Sequence, residues 1–476
     1  MVIEPNSQSS FDKTHPMSLS TKFSYGIGEF AGEVTASVLV FFLLFFLTNV
    51  AGLSAGLAGT VLLIARAWDA INDPLIGWLS DRTQSRWGRR YPWMVIAAIP
   101  LAISFALIWW VPPLSGQALF LYYCGLAFIF HIAFTSVVLP YTTLGAELTE
   151  YYNERTSLIS YKAGFSVTGS MLGLLIMQGT ISVVDDPARQ YFIAGSICGA
   201  IAALSTYICV FGTYKRFKLL QKKRTEVSRP PTLPIQQQIR IALSNRPFLF
   251  VVGIYLCSWL GLQVTASMLP YFVVNWMGLE ENHFTQMAIT VQGTGLLVMA
   301  GWNYLGQRWG KRKVYCTAIP LTLIAQAGLF LLQPGQVVAM YGLAVLAGAG
   351  LAVAYLIPWS MLPDVVDLDE LETGQRREGI FYGFVVQLQK IAVAIALFMV
   401  GRILDAAGLV SANGEDIAAD VAQPDSALLA IRWLIGPIPS LVLIGGIIFA
   451  WMYPITREFH EEILLKLSER KREQTQ

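Results

Sequence analysis

Long apolar runs recur from one end of this sequence to the other, among them Val38 to Leu47, Val314 to Leu332 and Leu441 to Trp451. A chain so patterned needs lipid as its solvent, and in lipid every backbone N–H and C=O must be paired within the protein, which leaves helices as the spanning element for runs of about twenty residues. Composition agrees: 55% of the 476 residues are hydrophobic and 13% charged, against about a quarter charged in an ordinary soluble domain. Recurrence along the whole length excludes a single membrane anchor. Apolar windows fall near 24–49, 57–80, 93–110, 118–145, 157–181 and 190–212, and again near 248–276, 284–306, 314–332, 338–363, 379–404 and 428–452. The expected organisation is a tail over 1–22, a six-helix bundle over 23–212, a linker over 213–247, a second six-helix bundle over 248–455 and a tail over 456–476. Pro230, Pro231 and Pro234 break the linker, and the run from Ile235 to Leu243 reads as a short amphipathic segment at the interface.

Lys and Arg are expected in cytoplasmic loops. Arg82, Arg86, Arg89 and Arg90 follow the second span, Arg155 the fourth, Lys215 to Arg224 the sixth, Arg308 to Lys313 the eighth, and Arg376 with Arg377 the tenth. The alternation places both termini in the cytoplasm; Arg189, Arg402 and Arg432 are exceptions on the outer side. A net charge of +2 with basic residues confined to loops gives no reason to expect a nucleic-acid partner. The five cysteines, Cys124, Cys198, Cys209, Cys257 and Cys316, lie in apolar stretches without a CxxC pair and read as small core residues. Residues 1–20 are polar and have no apolar core, so a cleaved signal peptide is not expected there. No nucleophile, metal-ligand set or phosphate loop stands out, which argues against an enzyme.

The two halves echo each other. Arg86-Trp87-Gly88-Arg89-Arg90 matches Arg308-Trp309-Gly310-Lys311-Arg312, Leu139-Pro140-Tyr141-Thr142 matches Ile357-Pro358-Trp359-Ser360, and the spacing from Arg155 to Tyr161 matches that from Arg376 to Tyr382. Three matches in one order imply a duplicated six-helix unit, the organisation of many transporters, with a functional site expected near the midplane.

Ionisable side chains at membrane depth cost roughly 2.5–3.5 kcal/mol each on insertion scales, so each needs a reason. Arg66, Asp69 and Asp73 in the second span stand at i, i+3 and i+7 with Asn72 beside them, a spacing that puts two carboxylates and a cation on one helical face. Hard cations such as Na⁺ take oxygen ligands, and Thr135 in the fourth span offers a hydroxyl. The plainer alternative is that Arg66 only neutralises Asp69. Glu29 and Glu33 stand one turn apart in the first span, Glu33 deeper. Lys162 either snorkels or faces a cavity, whereas Lys390 sits too deep to snorkel and calls for a carboxylate or bound anion. Tyr355 and Trp359, in the repeated segment, are the aromatics expected at a solute cavity. Asp364, Asp367, Asp369, Glu370 and Glu372 end the tenth span. Asp364 and Asp367 are read either as a solvated surface or, with Arg86, Arg89, Arg90 and Arg308, as a cytoplasmic gate of ion pairs.

The segment from Ala65 to Pro74, with Gly77 and Arg86-Trp87-Gly88, resembles the second-helix signature of the glycoside-pentoside-hexuronide:cation symporters of the major facilitator superfamily, typified by the melibiose permease. Pro140-Tyr141, Glu154-Arg155-Thr156 and the run from Pro358 to Asp367 extend the likeness over nearly the whole chain. The resemblance implies an all-α membrane protein with the major facilitator fold, twelve transmembrane helices in two pseudo-symmetric six-helix halves. It implies cation binding by Asp69, Asn72, Asp73 and Thr135, with Lys390 as the family's eleventh-helix lysine. The family's sugar-binding acid of the first helix corresponds to Glu33, but that of the fourth falls on the apolar Val138, and the fifth-helix arginine has only Lys162 nearby. The chain is also similar to the animal sodium-dependent lysophospholipid symporters, through Glu33-Val34-Thr35 and Met452-Tyr453-Pro454-Ile455.

The expected function is therefore Na⁺- or H⁺-coupled symport of a small organic solute by alternating access. A sugar or glycoside is the first reading and a lysophospholipid-like amphipath the second; a non-transporting membrane sensor is the reading from another class. No cofactor or metal beyond the coupling ion is expected. The expected setting is the cell inner membrane, with a small-molecule substrate, a coupling cation and the bilayer as partners and the monomer as the working form.

Overall fold

The computed structural model describes residues 17–149, 152–221, 235–375, 377–411 and 422–473. Parts of both expected tails, the linker prolines Pro230, Pro231 and Pro234, Arg376 and much of the connection after Asp405 lie outside them. In chain order the helices are α1 (Leu19–Ile27), α2 (Phe30–Asn49), α3 (Ala55–Arg82), α4 (Tyr91–Ile108), α5 (Gly116–Leu148), α6 (Tyr152–Val183) and α7 (Pro187–Gln221). They continue with α8 (Ile235–Ser244), α9 (Arg246–Tyr271) and a π-helical turn (Phe272–Trp276). Then come α10 (Glu281–Trp309), α11 (Lys311–Leu331), α12 (Val337–Thr373), α13 (Glu378–Ala406), α14 (Asp425–Ile435), α15 (Pro437–Met452) and α16 (Arg457–Glu473). Every expected apolar run coincides with a helix or a broken pair of helices: α1 with α2 form the first and α14 with α15 the last.

The breaks have local causes. Pro437 opens α15, where its missing N–H costs no bond. Asn245 caps α9 by accepting a hydrogen bond from Phe248 N at 2.9 Å. Pro270 cannot donate to the carbonyl four residues back, and the π-helical turn follows directly. Among the described residues ten helical segments are long and apolar enough to cross a membrane. The second and eighth spans, α3 and α10, fall short of that measure because they are polar: α3 carries Arg66, Asp69 and Asp73, and α10 carries Gln286, Thr290, Gln292, Thr294 and Asn303.

Packing divides the chain into two units, one of Met1–Leu39 with Trp68–Arg229, the other of Val40–Ala67 with Pro230–Gln476. The second unit thus takes in 40–67, which the sequence reading assigns to the first bundle. There Tyr271 Oη lies 2.6 Å from Thr48 Oγ1, and Gly59 meets Gly401 backbone to backbone. Between membrane helices lipid removes most of the hydrophobic drive, so close packing and small residues hold the helices together within each unit. In the first unit Gly199 lets α7 approach the Ala102 carbonyl of α4, where a Cβ would come to 2.7 Å. In the second, Phe248, Tyr315, Ile319, Val353, Leu362 and Leu443 form part of one buried cluster. Large apolar side chains such as Leu297 (82%) and Val338 (88%) are exposed instead, a surface suited to lipid rather than water.

The repeated motif is visible as backbone geometry. Gly88 and Gly310 both have positive φ, 84° and 85°, a region open to glycine at little cost. Each turns the chain between consecutive spans. α16 is absent from the sequence reading, which takes 456–476 as a tail. Ile463 and Leu467, one turn apart and nearly fully buried, dock it on the second unit's core, and Arg470 Nη1 donates to Leu371 O at 3.2 Å near the end of α12. At the other end Met17, also placed in a tail by the sequence, is buried, and its N–H donates to Glu154 Oε1 at 2.6 Å.

Candidate functional site

In the first unit, helical spacing brings Asp69, Asn72 and Asp73 of α3 toward Thr135 of α5. Thr135 Oγ1 lies 2.9 Å from Asp73 Oδ1 and 3.5 Å from Asp69 Oδ1. One hydroxyl has one proton to donate, so the shorter contact takes it and the hydroxyl's lone pairs remain available to a cation. Asn72 Nδ2 donates to His131 O at 3.0 Å, which commits the amide nitrogen and leaves Oδ1 as the ligand atom. Asp69, Asn72 and Thr135 are buried, and Asp73 is half-buried. Two carboxylates a turn apart repel unless a cation or proton offsets them, and carboxylate, amide and hydroxyl oxygens are the donor set a hard monovalent cation takes. The donor set therefore fits Na⁺ chemically.

His131 is the residue missed here. Its Nδ1 lies 3.3 Å from Asp69 Oδ1, within charge-contact range, yet it makes no hydrogen bond. The signal was in the sequence: an imidazole inside an apolar run, one turn before Thr135 on the same face.

A second polar group lies nearer the α1–α2 break. Lys162 Nζ is 3.7 Å from Glu29 Oε2 and 5.6 Å from the centre of the Tyr141 ring. Of the two readings of Lys162, the structure turns it toward an acid rather than outward. Glu33 is half-buried and within hydrogen-bonding reach of Ser166. Val138, in place of an acid, packs near Gly32 at 3.6 Å from where its Cβ would lie.

In the second unit Tyr355 and Trp359 belong to a larger aromatic cluster. Trp359 stands edge-on to Tyr255 with ring centres 5.5 Å apart and 5.9 Å from Tyr382, while Trp259 bridges to Tyr355 at 5.6 Å and stacks on Tyr255 at 6.2 Å. Tyr255 Oη donates to Gln389 Oε1 at 2.6 Å, and Lys390, half-buried, is the next residue of α13. Tyr355 is 43% exposed, so the cluster is not sealed. Tyr255 and Trp259 come from α9 and Tyr382 and Gln389 from α13, and their convergence with Trp359 of α12 could not be read from spacing along any one helix.

The residues expected at a cytoplasmic gate find partners within their own units. Arg89 Nη2 pairs with Glu147 Oε1 at 2.6 Å, and Arg90 pairs with Asp81 and donates to Ser80 Oγ at 2.8 Å. Arg86 and Arg308 are exposed, the latter with its guanidinium 5.4 Å from the Tyr304 ring. Lys311 Nζ holds both oxygens of Asp364 at 2.7 and 2.8 Å, and His460 Nε2 lies 3.2 Å from Asp367. Glu147, Lys311 and His460 thus complete ion pairs that the sequence reading sought elsewhere. Glu147 lies in the last turn of α5, and Lys311 and His460 lie in the first turns of α11 and α16.

With fold and sites described, comparison with known proteins is informative. The family described as MFS/sugar transport protein matches residues 24–457. The chain belongs to that family. It is a multi-pass membrane transporter of the major facilitator superfamily, not an enzyme, and the resemblance carried by the second-span signature is confirmed at family level. An uncharacterized symporter of Synechocystis sp. is 42% identical over 97% of this chain and 98% of that one. The sodium-dependent lysophosphatidylcholine symporter 1-A of Danio rerio is 26% identical over 94% of this chain and 88% of its own. Among solved structures, the nucleoside transporter NupG superposes with a TM-score of 0.63 at 13% identity, covering 92% of this chain and all of that one. This last likeness bears on fold alone.

Proposed function

We propose that the protein is a cation-coupled symporter of a small organic solute, set in the cell inner membrane with both termini in the cytoplasm. The observation that carries the reading is the convergence of Asp69 and Asp73 on the Thr135 hydroxyl. Two like charges held together in a buried place favour an occupied state, so binding of Na⁺ or H⁺ stabilises one conformation over another. A solute preferring that same conformation is then coupled to the cation, reciprocally. A sugar or glycoside is the first reading of the solute. Aromatic faces such as Trp359 and Tyr355 suit the apolar side of a sugar ring, and Gln389, tied to the same cluster through Tyr255, suits its hydroxyls. The second reading, a lysophospholipid-like amphipath, is favoured by Val138 standing where a sugar acid is expected and by the likeness to the Danio rerio symporter.

The test is uptake into proteoliposomes holding the purified protein, with radiolabelled glycosides and, separately, lysophosphatidylcholine, each with and without an inward Na⁺ gradient and then a pH gradient. Gradient-dependent accumulation of one class is expected. Equal uptake with and without both gradients refutes cation coupling.

A further inference from the structure

A second cavity, unrelated to the carboxylate pair, lies in the second unit where α10, α11, α15 and α16 end. It encloses about 460 Å³ and is lined by Trp309, Lys311, Arg312, Lys313, Trp451 and Arg457, among others. Three features converge on it. The first turns of α11 and α16 both open into it, from Lys311 and Arg457; α16 is capped by Thr456, whose Oγ1 accepts from Phe459 N at 3.3 Å, whereas α11 has no side-chain cap and presents its first N–H groups and positive dipole end to an anion. Gly310, with its φ of 85°, turns the chain into α11 beside Arg457, whose Cβ lies 3.7 Å from where a Cβ on the glycine would be.

The charges are the second feature. Lys311 is engaged by Asp364 and Arg457 by Glu461 at 2.9 Å. Arg312 and Lys313 form no ion pair among the described residues, although both line the cavity. Glu458 is the opposing carboxylate on the rim.

The third feature says where the anion comes from. Trp309 is 49% exposed and Trp451 68% exposed, and they stand at the ends of α10 and of the apolar segment that closes with Met452. Exposed tryptophans bordering a spanning segment mark the headgroup level of a bilayer, and clustered Lys and Arg there attract anionic lipid. We infer that the cavity between the first turns of α11 and α16 is a binding site for the phosphate of an anionic phospholipid headgroup, held by Arg312, Lys313 and the N-terminus of α11, with Trp309 and Trp451 against the lipid. Bound there, the lipid ties the C-terminal helix to the turn between the eighth and ninth spans.

Native mass spectrometry of the purified full-length protein, in micelles doped with phosphatidylglycerol or phosphatidylcholine, tests this. The wild type should retain phosphatidylglycerol preferentially, and Arg312→Gln with Lys313→Gln should erode that preference by about fivefold per cation removed. Glu458→Gln, which removes the opposing charge, should raise retention, so the site is read in both directions and not by loss alone. Lys466→Gln, on α16 outside the cavity lining, should change nothing. Equal retention of the two lipids by the wild type, or an unchanged preference in the double variant, overturns the site. Displacement of phosphatidylglycerol by millimolar inorganic phosphate would make it a free-anion site and overturn the lipid assignment.

Discussion

The two units share a repeated frame and differ in what they place at membrane depth. Both turn on a glycine of equal φ, Gly88 and Gly310, after the Arg-Trp-Gly motif. Counted back from that motif by the same number of residues, Asp69 and Asp73 of the first unit fall on Val291 and Gly295 of the second, and Thr135, counted from the repeated proline, falls on Val353. Where the first unit has a carboxylate pair and a hydroxyl, the second has close backbone packing: Gly295 and Gly348 bring α10 against α12, with a Cβ on Gly295 only 3.3 Å from Gly348 O. The aromatic positions differ in the opposite sense. Trp359 joins a partly open cluster, whereas its counterpart Tyr141 is buried, stacked on Tyr25 at 5.1 Å and hydrogen-bonded to Tyr25 O at 3.0 Å. Duplication supplied one scaffold twice; ionic chemistry remains on one copy and an aromatic surface on the other.

Five substitutions probe that division. The largest expected effect is that of Asp73→Asn, which keeps size and removes one charge: solute affinity measured across a Na⁺ titration, and across pH without Na⁺, should lose a cation dependence of about 5–150-fold, the usual span of coupling between sites. Should both Asp73→Asn and Asp69→Asn keep the wild-type dependence, the ionic half of the comparison fails. Trp359→Ala should weaken solute binding by about tenfold, in line with about 0.5–1.5 kcal/mol for an aromatic pair, while leaving the cation titration midpoint unmoved. A shift of both would mean that the two chemistries are not separated between copies. Smallest in their effect on solute binding are Gly88→Ala and Gly310→Ala, each expected to cost about 1–3 kcal/mol of stability through its backbone conformation alone. Gly88→Ala should lower the melting temperature more, because its Cβ would meet the Phe217 ring at 2.6 Å. Equal losses would mean that the ring yields freely.

How much of this was legible in the sequence depends on the range of the interaction. Helical runs and their breaks follow from local composition, and the pairing of Asp69 with Asp73 follows from the period of one helix; Thr135 joined them through the family signature. His131 obeyed the same period and was still passed over, since a lone imidazole in an apolar run carries no obvious charge. The partners Glu147, Lys311 and His460 were out of reach for another reason. Several cations lie within a few residues of each acid along the chain, and only the packing of helix ends decides which carboxylate meets which. α16 escaped because its apolar stripe is two residues, Ile463 and Leu467, within a polar segment; those two suffice only because a cluster is already there to receive them.

That docking bears on the order in which the protein is made. α16 leaves the ribosome after every other described helix, and His460, which sits beside Asp364 and Asp367, and Arg470, which reaches Leu371 O, arrive with it. Domains fold as synthesis proceeds from the N-terminus, so the first unit has every one of its helices in hand while the second still lacks the one that closes the end of α12. A chain stopped at Ile455 would keep its spanning helices and the Lys311–Asp364 pair, yet lose His460 from beside Asp364 and Asp367 and Arg470 from the Leu371 carbonyl. An affinity tag is accordingly safer after residue 473 than in place of the segment before it.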